Sequence, residues 1–171
     1  TGSRVDQPRY DLRGRIAFIS GASAGIGAHL ARLYAAAGAA VVLGARRIER
    51  CEALAAQIGS EGGRALAVAL DVAQEPSVIA AYDAAEAAFG APDVVVANAG
   101  IGTGGRSTDV PLERLRALVD TNFTGLYLTV REGAKRMIAA GSRESQRGRI
   151  ILIGSMTAHM SNQGDAAYAA L

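Results

Sequence analysis

The sequence predicts an α/β fold built on a doubly wound parallel sheet. Three observations lead there. Short apolar runs alternate with longer segments of helical period, glycine-rich turns follow several of the runs, and the unit recurs about every 25 residues. Parallel strands covered by helices on both faces are buried twice over, so they read as unbroken apolar runs and not as alternating ones.

Arg15 to Ser20 (RIAFIS) is the first strand. After a glycine-rich turn, Ile26 to Ala37 has helical period, with Ile26, Leu30, Leu33 and Ala37 expected on the buried face and Gly38 as the stop. Ala40 to Gly44 is the second strand, Ile48 to Ile58 a helix ended by Gly59, and Arg64 to Leu70 the third strand. Ser77 to Phe89 forms the next helix, closed by Gly90 and Pro92, and Asp93 to Ala97 (DVVVA) is the fourth strand. From Asp109 to Ala140 one long helix, or two in series, is expected. It has Asp109 as an acidic cap, Pro111 in the first turn, and an apolar face through Leu112, Leu115, Leu118, Val119, Leu126, Val130, Ala134 and Met137. Gly141 to Gly148 is turn-like, and Arg149 to Gly154 (RIILIG) reads as a fifth buried strand.

Composition narrows the function classes. With 171 residues, half of them hydrophobic, the chain can bury the core of one domain, expected over residues 13–171 behind a loose N-terminal lead of residues 1–12. Its 18 basic residues against 16 acidic ones are scattered, which argues against a nucleic-acid surface. The single cysteine, Cys51, has no partner for a disulfide and no neighbours at metal-ligand spacing, so a metal-free protein of the cytoplasm is expected. No apolar stretch approaches the roughly 20 residues of a membrane span.

In an open α/β sheet, ligands bind outside the carboxyl ends of the strands, so those residues carry the chemistry. After the first strand, Gly21, Gly25 and Gly27 form a G-x-x-x-G-x-G turn leading into a helix. Its free N–H groups and positive dipole end suit a pyrophosphate; the alternative is a plain strand-to-helix turn. No lysine follows the last glycine, which disfavours a P-loop. After the second strand stand Ala45, Arg46 and Arg47, where many NAD-binding domains place an acid for the ribose hydroxyls. Arginine there favours the extra phosphate of NADP, unless both side chains are merely solvated. Asp71 and Val72 end the third strand, and Asn98, Ala99 and Gly100 the fourth. Asn98 is suited to bridging strand ends and Asp71 to accepting from an adenine amino group; the alternative for either is a plain turn former. Ser155 closes the fifth strand and Tyr168 follows 13 residues on. Neither hydroxyl ionises readily at neutral pH, so an acid–base role needs a cation nearby. His159, between them, faces either substrate or solvent; Met156, Met160 and the run Gly102 to Gly105 are expected to edge the cleft.

As a set, these residues resemble the short-chain dehydrogenase/reductase family from about Arg13 to the last residue. Gly21, Gly25 and Gly27 match its T-G-x-x-x-G-x-G loop with Ser20 for the usual threonine, and Asn98-Ala99-Gly100 matches its N-A-G motif. Asn122, Ser155 and Tyr168 match its catalytic asparagine, serine and tyrosine. The resemblance implies a Rossmann-type doubly wound parallel sheet, incomplete at its C-terminal side. It also implies hydride transfer between NADP(H) and a carbonyl or secondary alcohol, with NAD(H) as the other cofactor. Tyr168 would exchange the proton, Ser155 would hydrogen-bond the substrate oxygen, and Asn122 would hold a relay water. Gly21, Ser23, Gly25, Ile26, Gly27, Arg46, Asp71, Val72, Asn98, Ala99 and Gly100 would form the cofactor site. Basic residues in the glycine loop of NADP-preferring members have no counterpart at Ala24, so the preference rests on Arg46 with Ser23. The family's lysine falls four residues after Tyr168, at what would be position 172, and Leu171 is the last residue here. The sequence is therefore expected to be part of a longer protein that forms a homodimer or homotetramer and takes a small-molecule substrate. The alternative is a non-catalytic dinucleotide-binding protein or an inactive fragment.

Overall fold

The structure, a computed structural model, describes residues 10–106, 108–159 and 166–170. Most of the expected N-terminal lead and Met160 lie outside them. The elements follow the expected order: β1 (Ile16–Ser20), α1 (Gly25–Ala36), β2 (Ala40–Ala45), α2 (Ile48–Ser60), β3 (Arg64–Ala69), α3 (Glu75–Phe89) and β4 (Val94–Ala97). Next come α4 (Leu112–Val119), a π-helical segment (Asp120–Gly125), α5 (Leu126–Ala139), the short α6 (Ser142–Ser145), β5 (Arg149–Leu152), a 3-10 turn (Met156–Ala158) and α7 (Ala166–Ala169). The five strands are parallel in the order β3-β2-β1-β4-β5. The order reverses beside β1, so the carboxyl ends of β1 and β4 flank a crevice.

Two apolar layers hold the sheet. On one face, residues of α1 and α2, among them the fully buried Cys51, pack against Ala17, Ile19, Val41 and Leu43. On the other, α3 and α5 cover Phe18, Val42, Val68 and Val95, with Phe18 stacked on the Tyr82 ring at 4.0 Å. Leu12, expected in the lead, packs on the first layer and donates its N–H to the Ala37 carbonyl at 2.8 Å.

Several expectations need correction. The buried side of α1 is Gly27, Ala28, Ala31 and Ala35, whereas Ile26 and Leu33 are 58% and 46% exposed. Small residues let this helix come down close to the sheet, and that close approach outweighs the larger side chains in setting its face. α4 starts at Leu112 with Pro111 as its N-cap and no capping side chain, so Asp109 does not cap it. Leu112 and Leu115 are exposed. The long helix is continuous but changes phase at the π segment, and α5 buries Leu128, Thr129, Glu132, Gly133 and Met137 while Leu126, Val130 and Ala134 are only half-buried. One wider turn rotates every later residue about the axis, which a uniform 3.6-residue period does not anticipate. β5 is shorter than expected and not buried: Leu152 is 54% exposed, because among the described residues β5 pairs only with β4.

Candidate active site

The crevice begins with a polar knot between β1 and β4. The Ser20 hydroxyl, wholly buried, accepts from the N–H groups of Asn98 (3.1 Å) and Ala99 (3.2 Å) and donates to the Val96 carbonyl (3.4 Å). The Asn98 side-chain amide donates in return to the carbonyls of Ser20 and Gly21 at 3.0 and 3.2 Å. The glycine loop is pressed onto this knot. Gly21 has φ +70, and a Cβ there would lie 2.8 Å from the Ala99 Cα; one on Gly27 would lie 2.5 Å from the Gly21 carbonyl oxygen. Neither position admits a side chain, so the loop holds the start of α1 over the strand ends. No side chain caps α1, which leaves its first-turn N–H groups facing the crevice.

A cleft of about 540 Å³ opens there. Of the residues read as a cofactor site, Gly21, Ser23, Gly25, Ile26, Arg46, Asp71, Val72, Asn98, Ala99 and Gly100 line it; Gly27 does not, since it lies under the loop as packing. Arg47, read with Arg46 as a phosphate candidate, also lines it, as does Thr121, which was not anticipated. Arg47, and not Arg46, bonds to Ser23, with its guanidinium donating to the hydroxyl at 3.0 Å. Two adjacent arginines were legible as a pair, but which one turns back over the glycine loop is decided by the N-cap position of Arg47 on α2. Asp71 is a turn former as well as a lining residue: one carboxylate oxygen accepts from the Ala73 N–H at 3.1 Å. A pyrophosphate-bearing dinucleotide fits this donor set of uncapped helix N–H groups, a hydroxyl and two guanidinium groups, in a groove that admits no Cβ at its floor.

A second cleft, about 790 Å³, shares the wall of Ile26 and the Asn98 to Ile101 segment with the first. Asn122, Ser155, Tyr168 and His159 line it. Asn122 sits in the π segment, and its side chain is tied both ways to Ile101, accepting from its N–H and donating to its carbonyl, each at 2.9 Å. Ser155 ends the loop after β5 and caps the 3-10 turn, accepting from the Thr157 N–H at 3.2 Å. Gly102 lines this cleft, while Gly104, Gly105 and the 74% exposed Met156 do not. Lys135 lines neither cleft and pairs with Glu132 at 3.6 Å. The strongest tyrosine shift lies away from both clefts, where burial and the Glu132 charge push the Tyr82 phenol far above its usual range. Among the described residues no cluster of three His, Cys, Asp or Glu side chains suits a metal ion, and no helix is long and apolar enough to cross a membrane.

The profile of the short chain dehydrogenase family matches residues 15–170. The chain belongs to that family. The chain is 35% identical over 161 residues to the D-threitol dehydrogenase of Mycolicibacterium smegmatis, covering 94% of this chain and 60% of that protein. It is 38% identical over 161 residues to the cis-4-hydroxycyclohexanecarboxylate dehydrogenase of Sinomonas cyclohexanicum, covering 91% and 61%. Among solved structures, a short-chain type dehydrogenase/reductase from Mycobacterium marinum superposes with a TM-score of 0.86 at 37% identity, over 94% of this chain and 64% of that one. The chain thus spans about three fifths of the length of these curated relatives. The five parallel strands form the Rossmann-type sheet of that family.

Proposed function

We propose that this short-chain dehydrogenase transfers a hydride between NADP(H) and a carbonyl or secondary alcohol. The reading rests on one observation above all: the dinucleotide-sized cleft and the cleft holding Ser155 and Tyr168 meet along Ile26 and the Asn98 to Ile101 segment. A cofactor laid in the first would put its reactive end against the hydroxyls of the second. Bound there, the cofactor supplies hydride donation and acceptance at its nicotinamide ring. The protein's part is proton handling and charge stabilisation. The Tyr168 hydroxyl gives its proton to the substrate oxygen during reduction and takes it back during oxidation. The Ser155 hydroxyl donates a hydrogen bond to that oxygen as negative charge gathers on it. Asn122 fastens the Ile101 wall between the clefts, and its remaining amide proton and lone pair are left for a relay water.

NADP over NAD is part of the same proposal. Arg46 and the Arg47–Ser23 pair put two guanidinium groups and a hydroxyl at the adenosine end, with no acidic side chain just after β2 to repel a phosphate. The named substrates of the two curated relatives are a polyol and a hydroxylated ring acid, so a secondary alcohol on a small polar skeleton is the substrate class we assign. The exposed side chains of Leu112, Phe123 and Tyr127 along α4, the π segment and α5 are the surface we assign to a homodimer or homotetramer. The test is turnover of the intact protein with NADPH and a panel of small ketones, against Tyr168→Phe. We expect turnover in the parent and its loss in the variant; equal rates would overturn the assignment of Tyr168.

A further inference from the structure

The Ser155 hydroxyl is not alone. Its oxygen accepts from the Thr157 N–H at 3.2 Å, and the Thr157 hydroxyl oxygen lies 2.8 Å from it. A serine hydroxyl has one proton to give and two lone pairs to receive with. With one lone pair taken by the Thr157 N–H, its role toward substrate depends on the second contact. Were Ser155 to donate to Thr157, its only proton would be spent and a carbonyl in the cleft would face no serine donor. When Thr157 donates to Ser155, both lone pairs are filled and the Ser155 proton is left to point outward. A carbonyl oxygen can only accept, so a substrate selects the second arrangement.

We propose that Thr157 is a positioning residue for the reaction. Its hydroxyl donates to Ser155 Oγ, orients the Ser155 proton toward the substrate oxygen, and strengthens that bond as negative charge develops. No bond to carbon changes: the chain Thr157 O–H to Ser155 Oγ, Ser155 O–H to substrate oxygen keeps each proton on its own oxygen. The short 3-10 turn Met156–Ala158 places the two side chains side by side by looping the backbone back on the Ser155 cap. The proposal rests on the reading of Ser155 and Tyr168 as the reacting pair, and it adds a residue that the family motifs above do not include.

The test is a double-mutant cycle in the intact protein with Thr157→Val, Thr157→Ser, Ser155→Ala and the double variant Ser155→Ala/Thr157→Val, read by kcat and KM for NADPH and for a ketone. Valine keeps the shape of threonine and removes the hydroxyl. Thr157→Val is expected to lower kcat about 10- to 100-fold, less than removal of a direct oxyanion donor, with the KM for NADPH unchanged. Thr157→Ser should restore the rate. On the Ser155→Ala background Thr157→Val should cost nothing further, since the group it orients is gone. A loss of equal size on both backgrounds, or a failure of serine to rescue, means that Thr157 acts only through local packing and overturns the proposal. An unchanged rate in Thr157→Val with Tyr168→Phe inactive overturns the positioning role of Thr157 alone, whereas equal rates in the parent and Tyr168→Phe overturn the underlying site assignment.

Discussion

Replacing Ser20 by alanine tests whether the knot at the β1–β4 seam holds the site together. The hydroxyl accepts from the N–H groups of Asn98 and Ala99 and donates to the Val96 carbonyl, from a side chain that is 1% exposed. Alanine leaves two amides without their acceptor. An unsatisfied buried donor costs about 1–3 kcal/mol. Asn98 and Ala99 are only part-buried, so cleft water meets some of that demand, and the lower half of the range applies to each. The expected loss is about 2–4 kcal/mol, or a urea midpoint lower by about 1–2 M at a slope of about 2 kcal/mol per M. Threonine at the same position keeps the hydroxyl and adds only a methyl in a buried site, so it should lose less than alanine does. Urea unfolding followed by circular dichroism measures both variants, and titration with NADPH reports whether the glycine loop has shifted. A Ser20→Ala protein as stable as the parent, or a Ser20→Thr protein as weak as the alanine variant, would refute the role given to this hydroxyl.

Other consequences can be checked in the same way. Gly125→Ala would set a Cβ 2.6 Å from a Val72 methyl and 3.0 Å from its carbonyl carbon, so thermal melting should show a loss of about 1–3 kcal/mol. Gly59→Ala in α2 meets nothing within 4 Å and should gain about 0.5–1 kcal/mol by stiffening an exposed helical position. Tyr82→Phe keeps the stack on Phe18 but loses the hydroxyl's 2.8 Å bond to the Thr129 carbonyl, for about 1 kcal/mol. It should also flatten the alkaline limb of stability. The native phenol titrates far above the unfolded one, so its contribution is complete below pH about 10 and declines above it by about 1.4 kcal/mol per pH unit. Arg47→Ala should raise the KM for NADPH about 10-fold or more and leave that for NADH alone, because one charge-assisted contact to the extra phosphate is lost; equal effects on both would refute the phosphate assignment.

The fold was largely legible because its signals are local and strong. Runs such as RIAFIS and DVVVA are apolar without alternation, which only a doubly covered parallel sheet requires, and glycine turns punctuate them. Most of the lining of the first cleft could be read as strand ends, since these converge by topology and the spacing of Gly21, Gly25 and Gly27 marks the first of them. What stayed hidden depends on packing at a distance. The face of α1 could not be read from its large apolar residues, because the sheet selects the alanine face that lets backbones approach. The π segment is written in no period; it forms where Gly125 meets Val72 and the Asn122 side chain ties to Ile101. The bond from Arg47 to Ser23 joins residues 24 apart, and nothing in a linear reading chooses it over Arg46.

The order of the strands also sets an order of assembly. β1, β2 and β3 pair as near neighbours along the chain, whereas the seam between β1 and β4 joins residues 76 to 79 apart. Pairings so far separated form late, because the intervening chain must be ordered first. Both clefts therefore lie on the joint between a half expected to fold early and one expected to fold late. The amides of Asn98 and Ala99 are where hydrogen exchange would first register that joint opening, ahead of the flanking β2–β3 ladder.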